Sequence, residues 1–469
     1  MNAAVFRGAP PGEVAVIGLG KSGRAVAELL ARDGHRVYAS DAGATEGARR
    51  AADALGALGV EVRLGGHDLD RIARSALVVA SPGVPPGAPP MVAARAAGRA
   101  PVGEIEVALH YLPRLRYVAV TGTNGKTTTT AIIGHMLRAL GRDALDAGNI
   151  GTPLAQLALR GSAPEWAALE LSSFQLHDTP SVRPTVGVVT NLAPDHLDRY
   201  ASPDEYYGDK ALIFRNAGDE SRWVLNGDDP EVLRLHERLP GGSGVPAGER
   251  LTFSLRDPAG AAWFDRAGDR LMLHGEPLMA RSDFPLMGDH NVANALAAAL
   301  AVSLADPTHR EPAAREAIAA ALRTFGALPH RMEPVGTHRG VEWINDSKAT
   351  NVSSTLVALD GMERPYVLLL GGTHKGEPYT PLAAPFRRHG KVVLAFGAAA
   401  PIVERDLAPL VPVERVDGPF EAVVERARAI AEPGDAVLLS PACSSYDMFV
   451  NYEERGATFR RLAAGQEGG

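Results

Sequence analysis

Cysteine is almost missing from this 469-residue chain; Cys443 stands alone. A lone thiol excludes an internal disulfide, and it suits a reducing compartment. No apolar run approaches the roughly 20 residues that span a bilayer, and the N-terminus lacks the layout of a signal peptide. A cytoplasmic location with no membrane partner is the expectation. Clustered positive charge is missing as well. Net charge is −7 and no Lys/Arg run stands out, which argues against a nucleic-acid partner. Lysine itself is scarce: of 48 basic residues only Lys21, Lys126, Lys210, Lys348, Lys375 and Lys391 are lysine, leaving 42 arginines. Where arginine carries most positive charge, a lysine marks a place that needs a compact ammonium or a reactive amine.

What is present is ordinary globular material, 45% hydrophobic and 22% charged, enough for about three domains of roughly 150 residues. From residue 13 to 110 strands and helices alternate: Val14–Ile17, Val37–Asp41 and Leu77–Gly83 read as strands. Alternation of this kind predicts an α/β fold, a parallel sheet with helices on both faces. A second unit opens on the strand Tyr117–Val120, and its following helix shows Ile133, Met136, Leu137 and Leu140 on one face. Further strands are predicted at 166–171 and 186–190. A Gly/Pro-rich stretch of short strands runs over 251–286, followed by an Ala-rich helix over 291–304. The third unit starts near Leu328 and alternates again, with strands at 341–345, 366–370, 392–396 and 436–440.

The sharpest chemical signal is Gly122-Thr123-Asn124-Gly125-Lys126-Thr127-Thr128 between a strand and a helix. Such a loop turns backbone N–H groups toward phosphate oxygens at a helix N-terminus. Lys126 would hold β/γ-phosphates and the Thr127 hydroxyl would ligate Mg²⁺. The first glycine sits two residues later than in the common form, because position 120 is valine. A second glycine loop, Gly18-x-Gly20-x-x-Gly23 with Asp41 closing the next strand, fits a dinucleotide or any other diphosphate ligand. A separate ATP-type loop favours a nucleotide sugar here over a nicotinamide cofactor. Glu170 ends one strand, and Asn191-Leu192-Ala193-Pro194-Asp195-His196-Leu197-Asp198 follows another. In an open α/β sheet both strand ends border the crevice of the phosphate loop. A carboxylate and an imidazole there suit a second metal ion, whereas Asp198 reads as a helix cap. Lys210, taken alone, reads as a solvated helix lysine.

Taken together, these motifs resemble the Mur ligases from about residue 12 to 465. The resemblance rests on GLGKSG (18–23), SPG (81–83), TGTNGKTT (121–128), GNIG (148–151), LELSSFQL (169–176) and NLAPDHLDRY (191–200). It continues through DHNVANALAA (289–298), LPHRME (328–333), WINDSKATN (343–351) and LLSPACSSYDMF (438–449). It implies three domains: a Rossmann-like nucleotide-sugar domain over 1–105, a central P-loop ATPase domain over 106–327 and a Rossmann-like C-terminal domain over 328–469. The central domain would combine a parallel sheet with a small β subdomain. The stretch at 346–351 points to the branch that joins D-glutamate to UDP-N-acetylmuramoyl-L-alanine with ATP and two Mg²⁺ ions, in a monomer.

By that resemblance Gly20, Lys21, Ser22, Asp41 and Ser81-Pro82-Gly83 would hold the UDP moiety. Lys126 and Thr127 would bind ATP phosphates and the first Mg²⁺, joined by Glu170. Asn149 and His196 would face the muramoyl-alanine and the second ion. Lys210 matches a lysine that family members carbamylate, which turns an ammonium into a metal-binding carboxylate analogue. Asn291 and Asn294 would meet adenine, and Arg331 and Asp346 the ATP phosphates and ribose. Lys348, Thr350 and Ser445 would fix the D-glutamate carboxylates, with Tyr452 where the family pattern expects phenylalanine. Asp41 is followed by Ala42-Gly43 instead of polar residues, and Gly372-Thr373-His374-Lys375 carries an unusual histidine. Other Mur-type or folate-type ligases, a nicotinamide dehydrogenase and a non-catalytic nucleotide-sugar regulator are the competing readings.

Overall fold

The computed structural model describes residues 12–160, 163–196, 199–241 and 244–465. Three sheets organise it. The first contains β1 (Val14–Ile17), β2 (Val37–Asp41), β3 (Glu61–Leu64), β4 (Leu77–Ala80) and β5 (Val102–Gly103). Its order is β3-β2-β1-β4-β5 and every pairing is parallel. Strands β1 and β4 are buried at each residue, as continuous apolar runs covered on both faces must be.

The second sheet contains β6 (Arg116–Thr121), β7 (Ala144–Gly148), β8 (Trp166–Glu170), β9 (Val186–Val189), β10 (Arg222–Asn226) and β11 (Glu249–Ser254). Three short strands complete it: β12 (Ala262–Asp265), β13 (Arg270–Leu273) and β14 (Glu276–Ala280). The order is β14-β13-β12-β11-β10-β9-β6-β8-β7. The short strands expected near 251–286 extend this same sheet: β12 pairs parallel to β11, and β13 and β14 turn back antiparallel. Strand β6 lies between β9 and β8, so the chain after β6 emerges where connections leave in opposite directions.

The third sheet contains β15 (Glu333–His338), β16 (Val341–Asn345), β17 (Tyr366–Gly371), β18 (Gly390–Phe396), β19 (Val413–Arg415) and β20 (Ala436–Leu439). Its order is β15-β16-β20-β17-β18-β19. The periodicity reading missed the edge strands β15 and β19, which are short or half-exposed. Apolar clusters cover both faces of this sheet.

The chain divides into two compact units. One comprises the described residues of Met1–Leu192, Asp204–Ala280 and Asn294–Leu322, and therefore holds the first two sheets; the other comprises Ala193–Pro203, Arg281–Ala293 and the described residues of Arg323–Gly469. The Ala-rich helix Asp289–Ala305 passes from the second unit back to the first.

Candidate active site

In the first unit the phosphate loop follows β6 and runs directly into the helix Lys126–Ala139, whose first turn carries no acidic residue. The loop is held from β9. Thr123 N donates to Asn191 O (2.8 Å), and Asn124 N donates to Asn191 Oδ1 (2.9 Å). Asn191 Nδ2 and Thr190 Oγ1 in turn donate to Asn124 O, at 3.0 and 2.6 Å. Gly122 has φ +138°, and a Cβ there would stand 2.0 Å from Thr190 Oγ1, so the close approach of β9 demands glycine. The Lys126 ammonium donates to Gly122 O (3.0 Å) and Thr123 O (2.7 Å), and Thr127 and Thr128 are buried beside it. Asn294 lines the other side, its Oδ1 accepting from Thr129 Oγ1 (3.2 Å).

Glu170 ends β8, the strand next to β6, and is 1% exposed. Its Oε1 accepts from Asn149 Nδ2 at 2.8 Å, while Asn149 N donates to Glu170 O at 3.0 Å. The structure thereby joins the GNIG and LELSSFQL motifs. Lys210, on the helix Pro203–Ala211, is 1% exposed rather than solvated. Its Nζ donates to Gly122 O at 2.6 Å and lies 4.5 Å from the centre of the Tyr206 ring. Hydroxyl, carboxylate and phosphate-loop amides form a hard-oxygen, anion-binding surround that suits a Mg²⁺–nucleotide. Among the described residues no three His, Cys, Asp or Glu side chains converge as a metal cage. A Mg²⁺ ion here would draw its remaining ligands from phosphate and water, which is its common habit.

The first sheet presents its glycine loop and the Ser81-Pro82-Gly83 turn side by side, after neighbouring strands β1 and β4. Ser81 Oγ donates to Gly18 O (2.8 Å). A Cβ on Gly23 would lie 1.8 Å from Gly18 O, so that glycine lets the helix Lys21–Arg32 pack onto its own loop. Gly20 caps this helix, leaving Lys21 and Ser22 in its first turn. Asp41 accepts from Leu19 N (2.7 Å) and Gly43 N (2.8 Å), a loop-holding part that its place at the end of β2 did not reveal.

The second unit gathers the remaining candidates. Asp195 is buried; its Oδ2 accepts from Asn351 Nδ2 (2.8 Å), and Lys375 Nζ stands 3.8 Å from its Oδ1. Burial opposes its charge, but Lys375, His196 and the hydrogen bonds outweigh it and hold the carboxyl below the ordinary range. His196 sits next to it with φ +56°, Nε2 3.8 Å from Asp195 Oδ2. Asp198 lies outside the described residues. Lys375 Nζ also reaches Thr350 Oγ1 (3.5 Å), and Lys348 Nζ lies 5.2 Å from the centre of the Tyr452 ring. The segment containing Ser445 is tied to the Lys375 loop through paired Thr373 and Ser444 backbones. Asp346 accepts from Ser440 Oγ (2.8 Å) and Met332 N (3.2 Å). Burial pushes its carboxyl up to about 7, against the Ser440 bond and the Arg331 guanidinium. Burial and the same guanidinium keep the His290 imidazole down at about 4, so it is neutral one residue before Asn291. Asn291 Nδ2 donates to Met287 O at 2.8 Å.

The sequence pattern gives Asn191 no role and marks Lys375 only as one of six lysines, next to an unusual histidine. The scarcity of lysine was the available signal for the second. Nothing in the pattern distinguished Asn191 from other loop asparagines.

A P-loop with a buried carboxylate at the adjacent strand end, and a separate cluster of lysines, hydroxyls and acids, define the class: an ATP-dependent, amide-forming ligase that works with a divalent metal. Three family models match the chain. They are "Mur ligase MurD-like, N-terminal domain" over 12–103, "Mur ligase middle domain" over 120–302 and "Mur ligase, glutamate ligase domain" over 330–443. The chain belongs to the Mur ligase family. It is 44% identical to the UDP-N-acetylmuramoylalanine--D-glutamate ligase of Anaeromyxobacter dehalogenans (strain 2CP-C), covering 97% of each chain. To the enzyme of that name from Salinibacter ruber (strain DSM 13855 / M31) it is 40% identical, over 95% of this chain and 96% of the other. In fold it is similar to the UDP-N-acetylmuramate-alanine ligase of Thermotoga maritima, with TM-score 0.61 and 20% identity over 97% of this chain and 100% of that one. A pseudomurein peptide ligase type C from Methanothermus fervidus aligns at TM-score 0.56 and 22% identity, over 91% and 96%.

Proposed function

We infer that this chain joins D-glutamate to UDP-N-acetylmuramoyl-L-alanine, releasing ADP and phosphate, as a step in cytoplasmic peptidoglycan precursor synthesis. The observation that carries this reading is the meeting of Glu170 and Asn149 beside a P-loop whose Gly122 carbonyl accepts from Lys210. The near full-length likeness to D-glutamate ligases supports the choice of substrate.

A carboxylate resists attack by an amine because of its charge and resonance. Phosphorylation of the alanyl carboxylate by ATP yields an acyl phosphate with a good leaving group. The loop amides of 122–128 and the Lys126 ammonium would cradle the transferring phosphoryl, so that positioning and electrostatics do most of the catalysis. Two divalent ions, held by Thr127, Glu170, His196 and carbamylated Lys210, would supply Lewis-acid neutralisation of phosphoryl and acyl oxygens. Asn149 orients the muramoyl-alanine, and the turn at 81–83 with Gly20, Lys21 and Ser22 takes the uridine diphosphate. Asn291 and Asn294 flank adenine, and Arg331 and Asp346 take the nucleotide's phosphate and ribose. Lys348, Thr350 and Ser445 fix the carboxylates of D-glutamate, with Lys375 added to them by its bond to Thr350. The amine then attacks the acyl phosphate, and phosphate leaves from the tetrahedral intermediate. The working chain is a monomer, with domains at 1–105, 106–327 and 328–469.

The test is amide product and ADP release on UDP-N-acetylmuramoyl-L-alanine with each candidate amino acid in turn. D-glutamate is expected to be at least about a hundredfold better than L-glutamate, because once the cations hold both carboxylates only one enantiomer aims its amine at the acyl carbon. Equal or better turnover with another amino acid would overturn the substrate assignment.

A further inference from the structure

The buried acid Glu104 has no part in the chemistry described above, yet it lies where the first two sheets meet. It opens the helix Glu104–Tyr111 straight after β5 and is 1% exposed. Its Oε1 accepts from Ala155 N in the short helix Leu154–Ala158. Its Oε2 has no hydrogen-bond partner among the described residues. Beside it is a small cavity, lined also by Pro82, Phe174, Gln175 and Asp178.

Those neighbours are placed in an informative way. The helix Leu154–Ala158 directly follows the loop Gly148–Thr152, and that loop is closed by Gly148 N donating to Thr152 O (3.3 Å). The same loop carries Asn149. Phe174 and Gln175 belong to the helix Ser173–His177, which starts three residues after Glu170, and Asp178 caps its C-terminal end. On that side Gly103 N donates to Asp178 O at 2.7 Å. Glu104 therefore touches, at one point, the segment that presents Asn149 and the segment that presents Glu170. Pro82 brings in the turn assigned to the sugar nucleotide.

A buried carboxyl with one oxygen unsatisfied is costly, on the order of 1–3 kcal/mol for a polar group. An apolar side chain would fill the same space without that cost. Retention of an acceptor at this place is explained if the bond to Ala155 N fixes the start of the helix after Asn149. We propose that Glu104 is a positioning residue, which sets the Asn149–Glu170 pair by anchoring the Leu154–Ala158 helix to the first sheet. This rests on the ligase reading above.

The experiment compares Glu104→Leu and Glu104→Gln with the parent enzyme, whose amide product is confirmed first. No product from the parent sinks the ligase reading and not this one. Glu104→Leu is expected to raise the KM for UDP-N-acetylmuramoyl-L-alanine and its calorimetric Kd, measured without ATP, at least fivefold. The KM for D-glutamate should stay within twofold. Glu104→Gln, which keeps an acceptor oxygen, should restore both sugar-nucleotide values to within twofold of the parent. A double-mutant cycle with Asn149→Ala supplies the second readout: Glu104→Leu should cost much less once Asn149 is gone. A lowered melting temperature with unchanged KM and Kd would reduce Glu104 to a structural prop and overturn the proposal. So would full additivity in the cycle, or a Gln variant as impaired as the Leu variant. If Glu104→Leu fails to fold, Glu104→Met carries the same comparison.

Discussion

Lys210 is the residue whose environment speaks most clearly. A lysine that is 1% exposed beside a P-loop carbonyl is held where an amine can react, a chemistry that arginine's permanently charged guanidinium cannot supply. Lys210→Arg is expected to lower kcat at least about a hundredfold, the size of losing one preorganised electrostatic group, while the melting temperature changes little. A ¹³C carbamate signal should appear in the parent with labelled bicarbonate and vanish in the variant. A fully active Lys210→Arg enzyme would remove the amine chemistry from the account. Glu104 offers a second residue-level test. Burial raises its carboxyl from the ordinary 4.5 to about 7, so between those values the folded chain keeps a proton that the unfolded chain has released. Its contribution to stability therefore falls as pH rises through that window and stays at the lower level above it. Glu104→Gln cannot ionise. Its stability relative to the parent should be near parity at pH 4.5 and rise by up to about 3 kcal/mol at pH 8. Denaturant titrations at the two pH values check this, and a gap that does not widen contradicts it. Lysine scarcity can be set against contacts at this scale. Lys126, Lys210, Lys348 and Lys375 each meet a carbonyl, hydroxyl, acid or ring of a candidate site, whereas Lys391 forms ion pairs with the exposed Glu432 and the buried Asp435.

At the scale of elements, each site loop begins at the carboxyl end of a strand and is shaped by close backbone approach. Gly23→Ala would force a Cβ to 1.8 Å from Gly18 O. Overpacking of this kind costs about 1–3 kcal/mol, and the expected result is a lower melting temperature together with a raised KM for the sugar nucleotide. An unchanged KM would separate the loop from that ligand. Most of these elements were legible in advance, because β1, β4, β6, β8, β9, β16, β17, β18 and β20 are apolar runs between turn signals. Edge strands β15 and β19 were not, since an edge lacks the buried face that writes a period into the sequence. The stretch that forms β12–β14 was legible as short strands of the central unit but not as an extension of its sheet, because short strands rich in turns give no hint of which sheet they join.

For the whole molecule, the sequence carried the alternation of α and β segments and the glycine-rich loops between them. It did not carry the pairwise partnerships: Asn149 with Glu170, Asp195 with Asn351, or Asn191 with the phosphate loop. These link residues 21, 156 and 67 positions apart, and only the sheet order brings them together. Nor did spacing alone choose between a nucleotide sugar and a nicotinamide at Gly18–Gly23, since the loop geometry serves either.

The central claim is that this chain uses ATP to make a carboxylate reactive toward an amine, and oxygen transfer reports it directly. UDP-N-acetylmuramoyl-L-alanine labelled with ¹⁸O in the alanyl carboxylate should be turned over with ATP and D-glutamate, and the released phosphate analysed by mass. The account predicts one ¹⁸O in each phosphate released, matched by loss of one from the amide product. Amide formation with unlabelled phosphate would contradict it.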